Sequence, residues 1–280
     1  MKNLKSYKGD CFSFHKDVLK SKNKRKNDPD YKNRVELLNA EIEQQFEIYK
    51  EKFDKNTLES LYAIEYNDSN KVDLQGLYDY NCKQLQKLKI ELTTDDNNRV
   101  NNTCQNCSLG EINSFDHYLP QSEFSEYVVN PLNLIPSCTK CNGHKSSIWR
   151  QSGKRTFLNL YIDKLTEVQY LFVDIKIVEN IIELKYLLDS KNGINNEIYE
   201  LLDYHYTKLK LFDRFKDNSD TIISELDTEI GKYSKKLSLE KIIETIIEEC
   251  NENFKIHGRN NWKLVLKMAL VNHSEYLSRF

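Results

Sequence analysis

The residues able to do chemistry in this 280-residue chain are gathered between Cys104 and Lys145. Two pairs at the same short spacing, Cys104-Gln-Asn-Cys107 and Cys138-Thr-Lys-Cys141, can bring four thiolates to one tetrahedral centre. That ligand set suits Zn²⁺, and four protein ligands leave no open position, so the zinc would be structural. A redox pair or unrelated thiols are the alternatives, and the matched spacing favours the metal. Cys11, Cys82 and Cys250 lack such spacing and read as core or surface thiols.

Inside this frame stand Asp116-His117, then Asn133, then Asn142, His144 and Lys145. A neutral histidine takes a proton near pH 7, which makes His117 a candidate general base. Asp116 offers carboxylate oxygen to a hard divalent cation. If a helix begins just before Cys141, Asn142 and Lys145 lie three apart and share a face, while His144 is rotated away. Asn142 then becomes the second ligand through its amide oxygen, with His144 the less favoured one and Lys145 at a phosphate. An Asp oxygen, an Asn oxygen and waters favour Mg²⁺ or Mn²⁺ over a second zinc. An Asp-His pair alone is also what a polar strand end looks like. Its meaning comes from the company it keeps.

The elements that must position these groups are mostly helical. Of eight Gly and four Pro, three prolines fall between 120 and 136, as expected of a helical chain with one irregular insert. Val35, Leu38, Ile42, Phe46 and Tyr49 predict an amphipathic helix over 31–53, and Leu77, Tyr78, Leu85, Leu88 and Leu92 a second from 74 to 92. Residues 93–103 form a polar linker to the first cysteine. Residues 170–178 and 181–188, around Glu179-Asn180, predict a β-hairpin. Helices are predicted over 194–216, 219–233, 238–255 and 260–279. Ser238 caps the third of these simply, because Lys241 rather than Glu or Gln stands three residues on.

Net charge is −2, against a protein that coats nucleic acid through bulk charge. Local balance is more informative. Residues 1–35 carry eleven Lys/Arg against four acids, among them Lys20, Lys22, Lys24, Arg25 and Lys26. Lys140, Lys145, Arg150, Lys154 and Arg155 follow without an intervening acid, so Lys145, Arg150, Lys154 and Arg155 are candidate phosphate contacts. Glu240, Glu244, Glu248 and Glu249 form an acidic stretch that repels phosphate. No apolar run of 18 residues predicts a membrane span, and the basic N-terminus does not have the build of a signal peptide. A cytoplasmic location is expected, where paired cysteines read as metal ligands before disulfides.

The order Cys-x-x-Cys, Asp-His-x-x-Pro, Asn-Leu-Ile-Pro, Cys-x-x-Cys-Asn-x-x-Lys over residues 104–150 resembles the HNH endonuclease family in its zinc-stabilised form. It is similar, too, to the HNH domain of CRISPR effector nucleases, and HNH proteins of this build serve beside ATPases in antiphage systems such as the two-component Septu system. The resemblance implies a central ββα-metal module, and with the predicted helices and β-hairpin around it the expected fold is α+β, mostly helical. The expected domains are a helical region over 1–98, the nuclease module over 99–155, and a hairpin-plus-helices region over 156–280. It further implies DNA hydrolysis to 5′-phosphate and 3′-hydroxyl ends, with Asn133 as an orienting residue. Asn142 departs from a literal H-N-H and bears on metal preference. The rivals are a zinc module that only binds nucleic acid, a regulated subunit of an ATPase-containing complex, and RNA cleavage. The C-terminal helices are expected to meet a protein partner or a second copy of the chain.

Overall fold

The computed structural model describes residues 1–23, 27–165 and 167–280, so Lys24, Arg25 and Lys26 of the basic stretch lie outside the described residues. The chain divides into two compact units, Asn3–Lys164 and Met1–Lys2 with Leu165–Phe280. The architecture is mostly helical α+β, with its strands confined to two-stranded antiparallel sheets among the described residues.

In the first unit α1 (Cys11–Ser21) starts at Asp10, whose carboxylate accepts the Ser13 N–H at 2.6 Å. The periodicity over 31–53 resolves into α2 (Tyr31–Leu37) and α3 (Asn39–Asp54), joined at Leu38 with φ −88° and ψ −7°. That conformation is close enough to helical to keep one apolar face. Val35, Ile42, Phe46 and Tyr49 are all buried.

The helix predicted from 74 to 92 covers the end of one helix, a non-helical stretch over 76–82, and a second helix. α4 (Asp68–Gln75) stops at Gly76, and α5 (Lys83–Thr93) begins after Cys82. Leu77, Leu85, Leu88 and Leu92 are buried on both sides of the break, which is why their spacing disguises it. The Asp79 carboxylate accepts the Asn81 N–H at 3.0 Å, a local turn that competes with helix. The phenols of Tyr78 and Tyr80 reach across to the backbone of Phe115 and Ile112. Helix continuity is exchanged for anchorage.

That anchored segment is the first strand of a ββα unit. β1 (Ser114–His117) pairs antiparallel with β2 (Leu134–Ser137), setting Phe115 opposite Pro136 and His117 opposite Leu134. α6 (Thr139–Lys145) follows directly. A short hairpin absent from the sequence reading comes next, β3 (Arg150–Gln151) with β4 (Lys154–Arg155), turning through Ser152 and Gly153 at positive φ.

The second unit opens on the predicted hairpin, β5 (Leu171–Val178) and β6 (Ile181–Leu188). Glu179 and Asn180 both have positive φ, 51° and 66°, as a two-residue turn between right-twisted strands requires. The helix predicted over 194–216 breaks into α7 (Asn196–Lys208) and α8 (Leu211–Asp217), because Lys210 is left-handed at φ 53°. α9 (Asp220–Tyr233) and α10 (Leu239–His257) follow, the latter capped by Ser238, whose hydroxyl accepts the Lys241 N–H at 3.4 Å. The predicted 260–279 helix is α11 (Trp262–Val271) and α12 (Ser274–Leu277). Trp262 stacks on Phe215 with ring centroids 5.3 Å apart, the centre of this unit's aromatic core. Among the described residues no helix is long and apolar enough to cross a membrane.

Candidate active site and cysteine cluster

Cys104, Cys107, Cys138 and Cys141 are buried, with ligand atoms all within 4.8 Å of one another. The first pair is held by a turn in which the Cys104 carbonyl accepts the Ser108 N–H at 2.7 Å, with Ser108 at φ 54°. Gly110 lies so close that an added Cβ would stand 3.2 Å from the Cys138 Cβ. The second pair opens α6, where the Cys138 sulfur accepts the Cys141 N–H at 3.4 Å. Four thiols at this distance compete for protons. Hydrogen bonds within the cluster lower Cys107 to about 6 and lower Cys138 as well, while they raise Cys104 and Cys141. A dication that favours the thiolate at all four positions ends that competition, so the set fits a structural Zn²⁺.

Asp116 and His117 are neighbours on β1, and successive side chains of a strand point to opposite faces. Here the strand ends at His117, and both residues line one cleft of about 260 Å³ together with Tyr78 and Asn142. The connection from β1 to β2 folds back over the site. Its Val128 carbonyl accepts the His117 Nε2–H at 2.9 Å, which fixes the neutral tautomer and leaves Nδ1 with the lone pair. Burial lowers the His117 pKa to about 4, with the Val128 bond opposing and the Lys145 charge assisting. At neutral pH the ring is therefore an unprotonated base.

Asn142 donates through Nδ2 to the Phe115 carbonyl at 3.2 Å. Its Oδ1 is thereby the amide atom left to the cleft, which suits an oxygen ligand beside Asp116. Burial raises the Asp116 pKa, partly offset by the adjacent Lys145 ammonium. Lys145 is only 3% exposed and is turned inward, its Nζ donating to Asp116 Oδ1 at 3.1 Å, the His117 carbonyl at 2.8 Å and the Tyr118 carbonyl at 3.3 Å. It ties α6 to the end of β1. His144 is not among the residues lining the cleft.

Asn133 is fully buried and bonds through both ends of its amide. Oδ1 accepts the Leu119 N–H at 2.7 Å, and Nδ2 donates to the Leu119 and Tyr127 carbonyls at 3.0 and 3.2 Å. The Tyr49 hydroxyl adds a further bond to Oδ1 at 3.2 Å. Asn133 thus closes the β1–β2 connection on itself, the arrangement of an orienting residue. Among the later bases, Arg150 donates to Glu123 Oε1 at 2.9 Å and to the Leu61 carbonyl at 3.1 Å. Arg155 grips Asp163 with two bonds of 2.9 and 2.8 Å. Lys154 is exposed.

Two contributors escaped the sequence reading. Val128 acts through its carbonyl, for which a side-chain motif gives no signal. Tyr78 packs edge-on against His117, with ring centroids 4.7 Å apart, but its spacing reads as helix. Gly76 and the Asp79-Tyr80-Asn81 turn residues were the available hint.

No family model matches the chain, and no solved structure does. Protein ea31 of Escherichia phage lambda is 23% identical over 227 residues, covering 74% of each chain. The Septu protein PtuB of Bacillus thuringiensis is 37% identical over 68 residues, which amount to 22% of this chain and 26% of that protein. The second likeness is local.

Proposed function

We propose that this chain is a metal-dependent endonuclease of the HNH class that hydrolyses phosphodiester bonds in DNA in antiphage defence. The observation that carries the reading is the convergence of Asp116, His117 and Asn142 on one cleft of a ββα unit whose ends are tied by four cysteines. Local similarity to a Septu protein supports the defence role.

Asp116 and the amide oxygen of Asn142 would hold Mg²⁺ or Mn²⁺. When bound, such an ion neutralises charge developing on the phosphate and on the leaving oxygen. His117, fixed as the Nε2–H tautomer, takes the proton of the attacking water at Nδ1. The water then adds to phosphorus in line with the departing oxygen. Lys145 holds Asp116 in place from behind. Exposed Lys154 and Lys140 are the bases left for phosphate contact.

The decisive experiment incubates purified protein with plasmid and Mg²⁺ or Mn²⁺, beside His117→Ala. Wild type is expected to nick or linearise the plasmid, and His117→Ala to lose at least about 10²-fold in rate, the scale of a general base. Equal cleavage by both proteins sinks the mechanism. A second reading, a nuclease subunit controlled by an ATPase, is favoured by the Septu likeness and predicts cleavage only with that partner present.

A further inference from the structure

The contacts of Tyr78 go beyond simple packing. Phe115 and Pro136 form a non-hydrogen-bonded pair of the ladder, a position that a residue without an N–H can occupy, and the Phe115 N–H and C=O point to the outer edge of β1. The Tyr78 hydroxyl takes both: it accepts the Phe115 N–H at 3.1 Å and lies 3.4 Å from the carbonyl to which it donates. That same carbonyl accepts the Asn142 Nδ2–H at 3.2 Å. The ring of Tyr78 meanwhile meets His117 at 67° and lines the cleft.

From this geometry we infer that Tyr78 is a positioning residue, whose ring fixes the His117 imidazole and whose hydroxyl sets the Phe115 carbonyl that aims Asn142. The inference rests on reading His117 as the base. His117 is then held from two sides, by the Val128 carbonyl at Nε2 and by the Tyr78 ring. Rotation about χ2, which would put Cδ2 where Nδ1 faces the cleft and take Nε2–H off the Val128 carbonyl, is opposed by both. The break between α4 and α5 acquires a purpose, because a continuous helix would not deliver the phenol to the strand edge.

The two contacts separate by substitution. Tyr78→Phe keeps the ring and loses the hydroxyl, while Tyr78→Leu loses both. Steady-state cleavage should show Tyr78→Leu lowered about tenfold or more in kcat, a fraction of what a general base contributes, with KM within about twofold. Tyr78→Phe should recover most of that loss. Nitrogen NMR of the His117 ring at pH 8 supplies a readout independent of turnover. Wild type should show one Nε2–H tautomer, and Tyr78→Leu a mixture of two. A kcat in Tyr78→Leu within twofold of wild type, a loss confined to KM, or an unchanged tautomer pattern overturns the inference. Should Tyr78→Leu fail to fold, Tyr78→Met carries the same measurements. A wild-type protein that cuts no nucleic acid, by itself or with a partner, defeats the nuclease reading alone, because the tautomer pattern still decides what Tyr78 does.

Discussion

Glu126 is a buried acid in the β1–β2 connection, two residues before the carbonyl that orients His117. One oxygen accepts the Ile64 N–H at 3.1 Å, and burial raises its pKa to about 7 from an ordinary value of 4.5. Below pH 4.5 folded and unfolded chains both hold the proton, so the group contributes no slope. Between pH 4.5 and 7 the unfolded chain releases it while the native chain keeps it, so stability falls as pH rises through that window. At about 1.4 kcal/mol per pH unit the loss is at most about 3.5 kcal/mol. Glu126→Gln, which cannot ionise, should flatten denaturation midpoints between pH 4.5 and 7, and an unchanged slope would refute the assignment. Residue type and spacing made the four cysteines, Asp116, His117 and Asn142 legible in the sequence. They did not reveal that Lys145 and Arg155 are engaged inside the fold, since charge in a sequence carries no direction. Backbone groups such as the Val128 carbonyl leave no trace in side-chain patterns at all.

At the scale of elements, what the sequence made plain was period, and what it hid was interruption. The β5–β6 hairpin was readable because alternating strands flank a two-residue turn. The paired helices α2–α3, α7–α8 and α11–α12 each read as one, and the predicted 74–92 helix runs through the gap before α5, because apolar periodicity survives a break while the backbone turns for other reasons. Lys210 and the Tyr78 segment are such places. The hairpin turn itself is imperfect in composition, since Glu179 bears a Cβ at φ 51° where Asn or Gly sits more easily. Replacing Glu179-Asn180 with Asn-Gly should stabilise the second unit by up to about 1 kcal/mol, the left-handed strain relieved less the added chain entropy of glycine, seen as a rise of a few degrees in its unfolding temperature. A fall would mean that the Glu179 side chain makes a contribution its conformation conceals.

At the scale of the whole molecule, the ββα unit is a minor part of the chain, and most of the remainder builds cores. Trp262, Leu266, Leu270 and Tyr276 are buried within the second unit, as a core-forming helix pair requires. The outer face of α10 differs, for Glu240, Glu244, Glu248 and Glu249 are exposed along it. Such a stripe is unsuited to nucleic acid, and we propose it as the face that meets a protein partner or a second copy. Reversing Glu240, Glu244 and Glu248 to Lys should leave helicity and unfolding temperature nearly unchanged, as surface substitutions do. It should shift the mass seen by light scattering or abolish capture of a protein partner. A variant identical to wild type in both assays would leave α10 a solvated surface.

The cysteine cluster has a consequence for the order of events during synthesis. Asp116, His117 and Asn133 lie between the two cysteine pairs in sequence, and Asn142 lies one residue beyond them. A ribosome therefore releases the first pair early and completes the tetrad only after nearly every group of the cleft has emerged. Structural zinc of this kind supplies folding free energy directly, so the cleft should assemble on loading and not before. If the chain is the nuclease proposed above, a nascent or zinc-starved copy would be inert. Chelation during refolding should give protein without a folded β1–β2–α6 segment by hydrogen exchange, and addition of Zn²⁺ should restore protection there. Full protection in the chelated protein would separate the cleft's assembly from the metal.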